Sequence, residues 1–415
     1  MQLLLKNIKQ LVTVNANGGL VKTGNDMRNI GVIENAALLI ENGVIRWAGT
    51  TNDFREKLKK DADVFDAEKY VAFPGFVDAH THLVFAGSRE NEFAMRAQGM
   101  TYQQIAEQGG GILETVKATR AATKKELKKL ASKRLDSLIQ HGTTTVEIKS
   151  GYGLDEDSEI KMLEAINELG KEHFMTIVPT FLGAHAVPPE FRDRRNDYVN
   201  AVCERMLPYI AKKNLARFCD VFCDKGYFTV DNARTILQKA KSLKMDLKIH
   251  ADELANIGAS SLAAELGVVS ADHLENITGE GIKKLQKSGT VAVLLPGVSF
   301  FLDHAHANAR ALINGGVPVS IASDFNPGSC MSFSMPLMMT IACTQMHMTP
   351  EEAITASTLN AAAALRLSDK LGSIETGKQA DIVLCEIPNY QYLSYHFGVN
   401  LVSKVVKNGT ILEFS

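Results

Sequence analysis

The sequence predicts an α/β fold: a distorted (β/α)8 barrel of the TIM type, with a small β-sandwich formed by both chain termini. Between residues 71 and 370, short apolar runs typical of buried strands alternate with longer amphipathic segments typical of helices. Residues 1–70 and 371–415 carry short alternating segments and hairpin turns instead. We therefore expect a barrel domain of residues 71–370 and a composite sandwich of residues 1–70 and 371–415.

The barrel prediction depends on the number of strand-like runs in the central region. These eight runs are Ala72–Asp78, Thr144–Ile148, Thr176–Phe181, Phe218–Phe222, Leu247–His250, Val268–Ala271, Val291–Leu295 and Val319–Ala322. The helix patterns between them are Lys125–Gln140, Ser158–Leu169, Tyr198–Lys212, Val230–Leu243, Ala255–Leu266, Gly279–Lys287 and Ala305–Asn314. Eight strands alternating with helices is the number that closes such a barrel.

The two ends of the chain read as β-structure. The predicted strands are Leu3–Val14, Ala36–Ile40, Val44–Ala48, Ala380–Glu386, Val402–Val406 and Thr410–Phe414. Asn42-Gly43 and Asn408-Gly409 are typical of tight hairpin turns. Two β-rich ends around one barrel most simply pair into one small domain.

Composition narrows the class of partner. Lys and Arg number 45 against 47 Asp and Glu, so no excess of positive charge attracts nucleic acid or a membrane surface. No apolar run approaches the roughly 20 residues that span a bilayer. The six cysteines are scattered, without a Cys-x-x-Cys pair or a signal peptide. We expect a cytoplasmic protein with reduced thiols that acts on a small molecule.

His80 and His82 are the most informative residues, because a His-x-His pair at the end of a strand points both imidazoles the same way. Eleven histidines in this chain give roughly 0.3 such pairs by chance, so the spacing alone is weak. His304 and His306 share the spacing but lie in Asp303–Asn314, which reads as a helix, where residues two apart point in different directions.

Other polar side chains follow the later strands, where the active sites of such barrels lie. They are His185 after the third strand, His250, Asp252 and Glu253 at the fifth, Asp272, His273 and Glu275 at the sixth, and Ser323, Asp324, Asn326 and Gly328 after the eighth. A single histidine at a strand end is more often a hydrogen-bonded structural residue than a ligand. Several that converge on one rim favour a functional site.

This set suits metal-assisted hydrolysis. Three imidazoles and a carboxylate, His80, His82, His250 and Asp324, would hold a divalent ion and leave room for water, whose pKa the ion lowers to roughly 7. Glu253 is placed to shuttle the proton, although it also reads as a carboxylate at a helix N-terminus. His273 is a candidate donor to the developing oxyanion, while Asp324 and His273 stay open as alternative bases.

The segment Pro74–His82, the loops at His250 and His273, and Ser323-Asp324 resemble the metal-dependent amidohydrolase superfamily. That resemblance implies the barrel with a small sandwich from both chain ends, and the four metal ligands named above. Many members carry a carboxylated lysine after strand four that bridges two metals. Here Lys225 lies beyond the end of that strand. We therefore expect one metal ion per chain, zinc or iron, which the ligand types do not distinguish.

A closer resemblance covers nearly the whole chain. It rests on the segments His82–Phe93, Gln108–Ile112, Glu147–Leu154, Thr180–His185 and Ser323–Ser329. It is to superfamily members that hydrolyse the cyclic amide of 4-imidazolone-5-propanoate to N-formimino-L-glutamate in histidine degradation. The resemblance also implies a homodimer. The methionine-rich stretch Met331–Met346 is a candidate for the dimer interface, although packing in the core is the commoner role of such methionines.

This closer resemblance implies a set of substrate contacts. They are Arg89, Tyr152, His185, Glu253, Asn326, Gly328 and Ser329. A planar guanidinium such as that of Arg89 suits the propionate carboxylate, and Tyr152 and His185 are expected to donate hydrogen bonds. Without the resemblance, Arg89 reads as a surface residue paired with Glu90 or Glu92. The alternatives are a deaminase or another cyclic amidohydrolase, and a non-catalytic scaffold.

Overall fold

The computed structural model describes residues 1–100, 104 and 110–413 of the chain. The strands in these residues are β1 (Gln2–Val12), β2 (Val32–Glu41), β3 (Val44–Thr50), β4 (Asp63–Asp66), β5 (Val71–Pro74), β6 (Phe76–Asp78), β7 (Thr143–Lys149), β8 (Thr176–Ala184), β9 (Phe218–Cys223), β10 (Asp246–Ala251), β11 (Ser270–His273), β12 (Val291–Leu294), β13 (Val319–Ile321), β14 (Ile382–Cys385), β15 (Val402–Lys407) and β16 (Thr410–Leu412).

The α-helices of the described residues include counterparts of all seven predicted patterns and several that the sequence did not predict. They cover Glu90–Ala97, Ile112–Ala121, Lys124–Gln140, Glu156–Glu172, Arg195–Ala201, Leu207–Lys213, Val230–Ser242, Ala259–Leu266, Gly279–Ser288, Pro296–Leu302, Ala309–Asn314, Met335–Gln345, Pro350–Ala356, Leu359–Ala364 and Tyr392–Tyr395. Among the described residues, none of these helices combines the length and apolar character needed to cross a bilayer.

Strands β6 to β13 form one sheet in chain order, and every neighbouring pair is parallel. Their side chains are almost all buried, as expected for parallel strands covered by helices on one face and filled by side chains on the other. Between β13 and β6 the ring is closed by main-chain bonds just beyond the strand ends. Asp324 N–H donates to the His80 carbonyl and His82 N–H to the Phe325 carbonyl, each at 3.0 Å. The barrel is thus completed at the rim that carries the candidate ligands.

The remaining strands come from both chain ends and form a second sheet, in the order β16-β15-β14-β5-β1-β2-β3, with β4 also paired to β1. This confirms that the two ends build one separate β-unit. Alternate residues of the sheet, such as Leu5, Leu38 and Ile382, form a core of their own. Residues of the opposite parity, such as Phe73 and Val383, pack against the core of the barrel.

The predicted strand Ala72–Asp78 is wrong as one element, because it divides at Gly75. Strand β5 pairs with β1 and β14 in the terminal sheet, whereas β6 begins the barrel. At Gly75 a Cβ atom would lie 2.2 Å from the Thr144 hydroxyl, so this crossing point between the two sheets has no room for a side chain. An apolar run seven residues long contains no signal that it serves two sheets.

Three helix predictions differ in their limits. The helix expected from Ala305 begins at Ala309, and the one expected from Ala255 begins at Ala259. The segment predicted as Tyr198–Lys212 is interrupted by a π-helical turn, Val202–Met206. In the methionine-rich stretch, Met335, Met338, Met339 and Met346 are buried in the core, which confirms core packing for them, whereas Met331 is exposed. Phe414, the end of the last predicted strand, lies outside the described residues.

Candidate metal centre and substrate pocket

The predicted metal ligands lie together at the C-terminal end of the barrel. His80 and His82 follow β6, His250 lies in β10, and Asp324 follows β13. His80 Nε2 and His82 Nε2 lie 3.5 and 3.3 Å from Asp324 Oδ1, and the rings of His80 and His250 are 4.6 Å apart. None of the four is more than 4% exposed. Strands that are distant in sequence thus bring the four side chains to one point.

These side chains have the properties of a cation site. His80 Nε2, His250 Nε2 and Asp324 Oδ1 are buried without a hydrogen-bond partner. Burial also lowers the pKa of His80 and His82 well below the usual value, so both rings are neutral and carry free lone pairs. Buried lone pairs that converge without a proton donor are the environment that a metal ion satisfies.

Two sets of three side chains place their ligand atoms within 4.8 Å of one another. One is His80, His82 and His250, and the other is His80, His273 and Asp324. Together they contain the four predicted ligands and add His273. Among the described residues neither set includes His304 or His306, which precede the helix that begins at Ala309. The prediction that His304 and His306 lie in a helix is therefore wrong, although the two residues still belong to neither set of converging ligand atoms.

Two buried carboxylates lie behind the histidine rings, one hydrogen-bonded to His80 and the other close to His250, whose Nδ1 has no hydrogen-bond partner. Asp272 Oδ2 lies 2.6 Å from His80 Nδ1, and Asp220 Oδ2 lies 3.1 Å from His250 Nδ1. A carboxylate at Nδ1 favours the tautomer that leaves Nε2 free for a metal. Sequence reasoning gave Asp272 no role and missed Asp220. The available signal for Asp220 was a charged residue inside the apolar strand Phe218–Cys223.

The backbone bends sharply where several of these residues lie. Asp252, His273, Leu274 and Asp324 all have positive φ angles between 48° and 80°. Residues other than glycine adopt this left-handed region at a cost, and such residues concentrate at functional sites. The bends follow the ends of β10, β11 and β13, where the chain turns out of the barrel.

Glu253 and His273 form a pair beside the histidine cluster. Glu253 Oε2 lies 3.5 Å from His273 Nε2. Burial raises the pKa of Glu253 well above its usual value, and Glu275 and Asp224 add to the rise. Asp224 holds the Glu253 loop by accepting the Glu253 N–H at 2.7 Å. The helix begins only at Ala259, so Glu253 is not a carboxylate of its N-terminal turn.

Tyr152 and His185 line the same space. The His185 ring stacks on that of His82, with centroids 4.9 Å apart, and the Tyr152 ring lies 5.7 Å from His82. His185 Nδ1 lies 3.0 Å from the Gly151 carbonyl. Because a carbonyl only accepts, Nδ1 must carry the proton. Burial lowers the pKa of His185 to about 3, so the ring is neutral and Nε2 can only accept. The expectation that His185 donates to the substrate is therefore wrong.

Arg89 lies at the edge of this space and forms an ion pair with Glu92. This pairing is the interpretation of Arg89 that the sequence gives without the resemblance. Arg89 Nε and Nη2 lie 2.9 and 2.7 Å from the two carboxylate oxygens of Glu92. The third nitrogen, Nη1, faces Gly328, where an added Cβ atom would lie only 2.1 Å away. The pair with Glu92 thus uses one edge of the guanidinium, and the absence of a side chain at Gly328 leaves room for the other.

The loop that contains Gly328 is shaped by Asn326. Asn326 Oδ1 accepts the N–H groups of Gly328 and Ser329 at 2.8 and 2.9 Å. Its Nδ2 donates to the Asp324 carbonyl at 2.8 Å and to the Ser329 hydroxyl at 2.6 Å. These bonds engage both ends of the amide within the loop. The structure therefore places Asn326 and Ser329 close to the site, with Asn326 holding the loop.

Two other sequence observations bear on the site. Lys225, the lysine considered as a bridging ligand, is exposed two residues beyond the end of β9. Of the motif Gln108–Ile112, residues 108 and 109 lie outside the described part of the chain. Gly111 N–H donates to Glu92 Oε1 at 2.8 Å, which connects the end of this motif to the Arg89 ion pair.

Comparison with known proteins agrees with the fold and the site. The model of the amidohydrolase family matches residues 71–412. A zinc-bound adenosine deaminase from Xanthomonas campestris superposes with a TM-score of 0.73 over 99% of this chain and 92% of its own, at 19% identity. At that identity the likeness concerns the fold alone. The family match covers most of the chain, and the chain therefore belongs to the amidohydrolase family.

Similarity at the level of the whole sequence is more specific. The imidazolonepropionase of Shouchella clausii is 48% identical over 413 residues, which are 99% of this chain and 92% of the relative. The imidazolonepropionase of Clostridium tetani is 47% identical over 410 residues, which are 99% of this chain and 97% of the relative.

Proposed function

We propose that this chain hydrolyses the cyclic amide of 4-imidazolone-5-propanoate to N-formimino-L-glutamate, a step of histidine degradation. The observation that carries the proposal is the 48% identity to an imidazolonepropionase over 99% of the chain. The site agrees with it, because a histidine-rich centre lies beside a pocket edged by a guanidinium.

One metal ion per chain, zinc or iron, would be held by His80, His82, His250 and Asp324. The support for this set is their mutual distance, their burial and their unpartnered nitrogen and oxygen atoms. A bound metal would act as a Lewis acid and lower the pKa of water to roughly 7.

Glu253 would move the proton that the reaction releases. With its raised pKa, the side chain can receive a proton from the attacking water and return it to the departing ring nitrogen. His273 lies against Glu253 and would face the carbonyl oxygen on which negative charge develops. Asp324 stays the alternative base.

The substrate would be oriented by three groups around the pocket. The edge of Arg89 that contains Nη1 is the one that Glu92 leaves for the propionate carboxylate. His185 Nε2 would accept a ring N–H, which is the reverse of the donor role that the sequence suggested. Tyr152 is buried, and burial raises the pKa of its hydroxyl, so the group stays a hydrogen-bond donor at neutral pH.

A deaminase of another heterocycle is the nearest alternative, since it would use the same ligands and Glu253. The two functions differ in what they require of Arg89. We would compare 4-imidazolone-5-propanoate with its propionamide analogue, which lacks the carboxylate. The proposal predicts that kcat/KM falls by about 10- to 100-fold, the value of one or two charge-assisted hydrogen bonds. Equal kcat/KM values would contradict it.

We further propose a cytoplasmic homodimer. All six cysteines are free thiols, which agrees with a reducing compartment. Multi-angle light scattering of the purified protein tests the dimer directly: a mass near 45.3 kDa would contradict it, and twice that mass would support it.

A further inference from the structure

A cluster of charged residues lies inside the barrel, behind the histidines. Its members are Glu147, Lys149, Asp220, Lys248 and Asp272, and each is 0% exposed. They come from four strands of the barrel, β7, β9, β10 and β11. The hydrolysis described above assigns no chemistry to the two lysines. Charges buried this deeply are costly unless they compensate one another, so their arrangement needs a reason.

Lys149 lies at the centre of the cluster. Its Nζ is 2.8 Å from Glu147 Oε1, 2.8 Å from Asp220 Oδ2 and 3.7 Å from Asp272 Oδ2. The same Asp220 and Asp272 oxygens contact the Nδ1 atoms of His250 and His80. The ammonium group therefore lies directly behind two metal-binding side chains, between carboxylates that would otherwise attract a cation.

Lys149 is charged in this environment. Burial by itself would lower its pKa, but the nearby carboxylates of Asp220, Glu147 and Asp272 outweigh burial and raise the pKa above the usual value. Asp272 also accepts the Ser270 hydroxyl at 2.6 Å, while burial raises the pKa of its carboxyl and the two nearby lysines oppose that rise. The cluster thus behaves as a compensated set of ions.

The charges fit one divalent ion. Counted at their formal charges, three carboxylates and two ammonium groups leave the cluster with one negative charge, and Asp324 brings the total to two. One divalent cation balances that charge. Two-metal hydrolases hold their ions about 3.5–4 Å apart between shared carboxylates. A second divalent ion here would leave two uncompensated positive charges in a buried site.

We propose that the ammonium group of Lys149 takes the place of a second metal ion and so limits the site to one. Lys149 is then a positioning residue: it holds Asp220 and Asp272, which orient His250 and His80. The inference rests on the metal site of the proposed function. It identifies the group that keeps the site mononuclear, which the exposed Lys225 does not do.

The test measures zinc stoichiometry without substrate. Wild type and Lys149→Met are stripped of metal, titrated with zinc in a metal buffer, and analysed for bound zinc. Wild type is expected to bind one zinc per chain. The variant is expected to bind a second zinc at least about 100-fold more tightly than wild type does. Loss of the ammonium group leaves buried carboxylates uncompensated, which favours a second cation by more than the 2.7 kcal/mol that corresponds to a 100-fold change in affinity. A variant that binds one zinc with wild-type affinity would overturn the proposal.

Two matched variants separate position from charge. Lys149→Arg keeps the positive charge and is expected to bind one zinc. Lys248→Met removes the same charge from the same cluster. Lys248 bonds the Ala79 carbonyl and lies 3.4 Å from Glu147 and 3.8 Å from Asp272, but Lys149 is the lysine paired with Asp220, so one zinc is expected for Lys248→Met too. A second zinc on Lys248→Met would overturn the assignment to Lys149. Lys149→Gln replaces Lys149→Met, with the same two outcomes, if circular dichroism shows that the methionine variant is unfolded.

The proposed function and this inference can fail separately. A wild-type protein that binds one zinc but does not turn over 4-imidazolone-5-propanoate would contradict the proposed function and leave the zinc test intact. A wild-type protein that binds two zinc ions would overturn the role of Lys149, whether or not it is active.

Discussion

At the scale of single residues, the proposed substrate pocket depends on groups whose partners are already fixed. Arg89 gives one edge to Glu92, and His185 gives its only proton to Gly151. Fewer hydrogen-bonding groups are therefore available to the substrate than the residue types suggest. They are the Nη1 edge of Arg89 and the lone pair on Nε2 of His185. Each of these can be tested by one substitution.

Gly328→Ala tests the position of Arg89. The new Cβ would meet Nη1 at 2.1 Å and displace the guanidinium. We expect KM to rise about tenfold or more with little change in thermal stability, since misplacement of a binding group is costly. Gly279→Ala, where a Cβ meets nothing within 4 Å, is the control and should leave KM unchanged. Equal KM values for both variants would mean that Arg89 does not hold the substrate.

Arg89→Ala tests the same contact by deletion. The loss of charge-assisted hydrogen bonds to the propionate should raise KM by about 10- to 100-fold while kcat changes little, because such binding is equal in ground and transition states. Steady-state kinetics measures both constants. A large fall in kcat at constant KM would instead place Arg89 in the chemical step.

Glu253→Gln tests the proton shuttle. The amide cannot carry the proton, so kcat should fall by about 10²- to 10⁴-fold. Elemental analysis should still find one metal per chain, because Glu253 lies outside both sets of converging ligands. A variant with near-normal kcat would move the shuttle to Asp324 or His273.

Several of these residue roles were accessible from the sequence, and others were not. The His-x-His pair and the polar residues at strand ends indicate His80, His82, His250 and Asp324, and the structure brings these together. The acceptor role of His185 depends on a carbonyl 34 positions away, so no local pattern carries it. Asp220 has a visible signal, a carboxylate inside an apolar strand, but its partners come from other strands.

At the scale of secondary-structure elements, the terminal sheet contains a buried ion pair where it meets the barrel. Lys407 Nζ lies 2.7 Å from Asp381 Oδ2 and donates to the Thr176 hydroxyl at the start of β8. Both charged side chains are at most 4% exposed, and burial lowers the pKa of Lys407. The ion pair therefore stabilises the terminal sheet, and the hydrogen bond from Lys407 to Thr176 is the contact that reaches the barrel.

Asp381→Ala should destabilise the protein strongly, because it leaves the Lys407 ammonium buried without its carboxylate. We expect a loss of about 3–5 kcal/mol in the free energy of unfolding by urea. The control is a substitution of Glu386 by alanine, which breaks an exposed ion pair with Lys69. It should lower the free energy of unfolding by at most about 1 kcal/mol. Similar losses for the two variants would show that the buried pair contributes no more to stability than an exposed one.

Element boundaries show where sequence patterns lose information. Period and apolar character predict each barrel strand, but Ala72–Asp78 divides between two sheets at a glycine, because the available space at Gly75 is set by Thr144 on another strand. The residues between Asp303 and Ala309 have a helical composition without helical structure. In both places tertiary contacts, which a local pattern does not contain, decide the outcome.

At the scale of the whole molecule, the order of strands explains why one site forms. Eight parallel strands direct their C-terminal ends to one rim, and the contacts of His80 and His82 with the loop after β13 close the ring there. The sequence predicts this fold class and the composite terminal unit because the alternation of strands and helices is local. Charge compensation beneath the site is not local, and only the assembled barrel shows it.

We propose that this barrel, loaded with metal, opens the ring of 4-imidazolone-5-propanoate. The most direct test is the ultraviolet-monitored loss of that substrate with purified protein, with elemental analysis of the same sample before and after chelation. We predict turnover with about one metal per chain, which chelation abolishes and added zinc or iron restores. A fully metallated protein without turnover would contradict the claim and leave only the amidohydrolase fold.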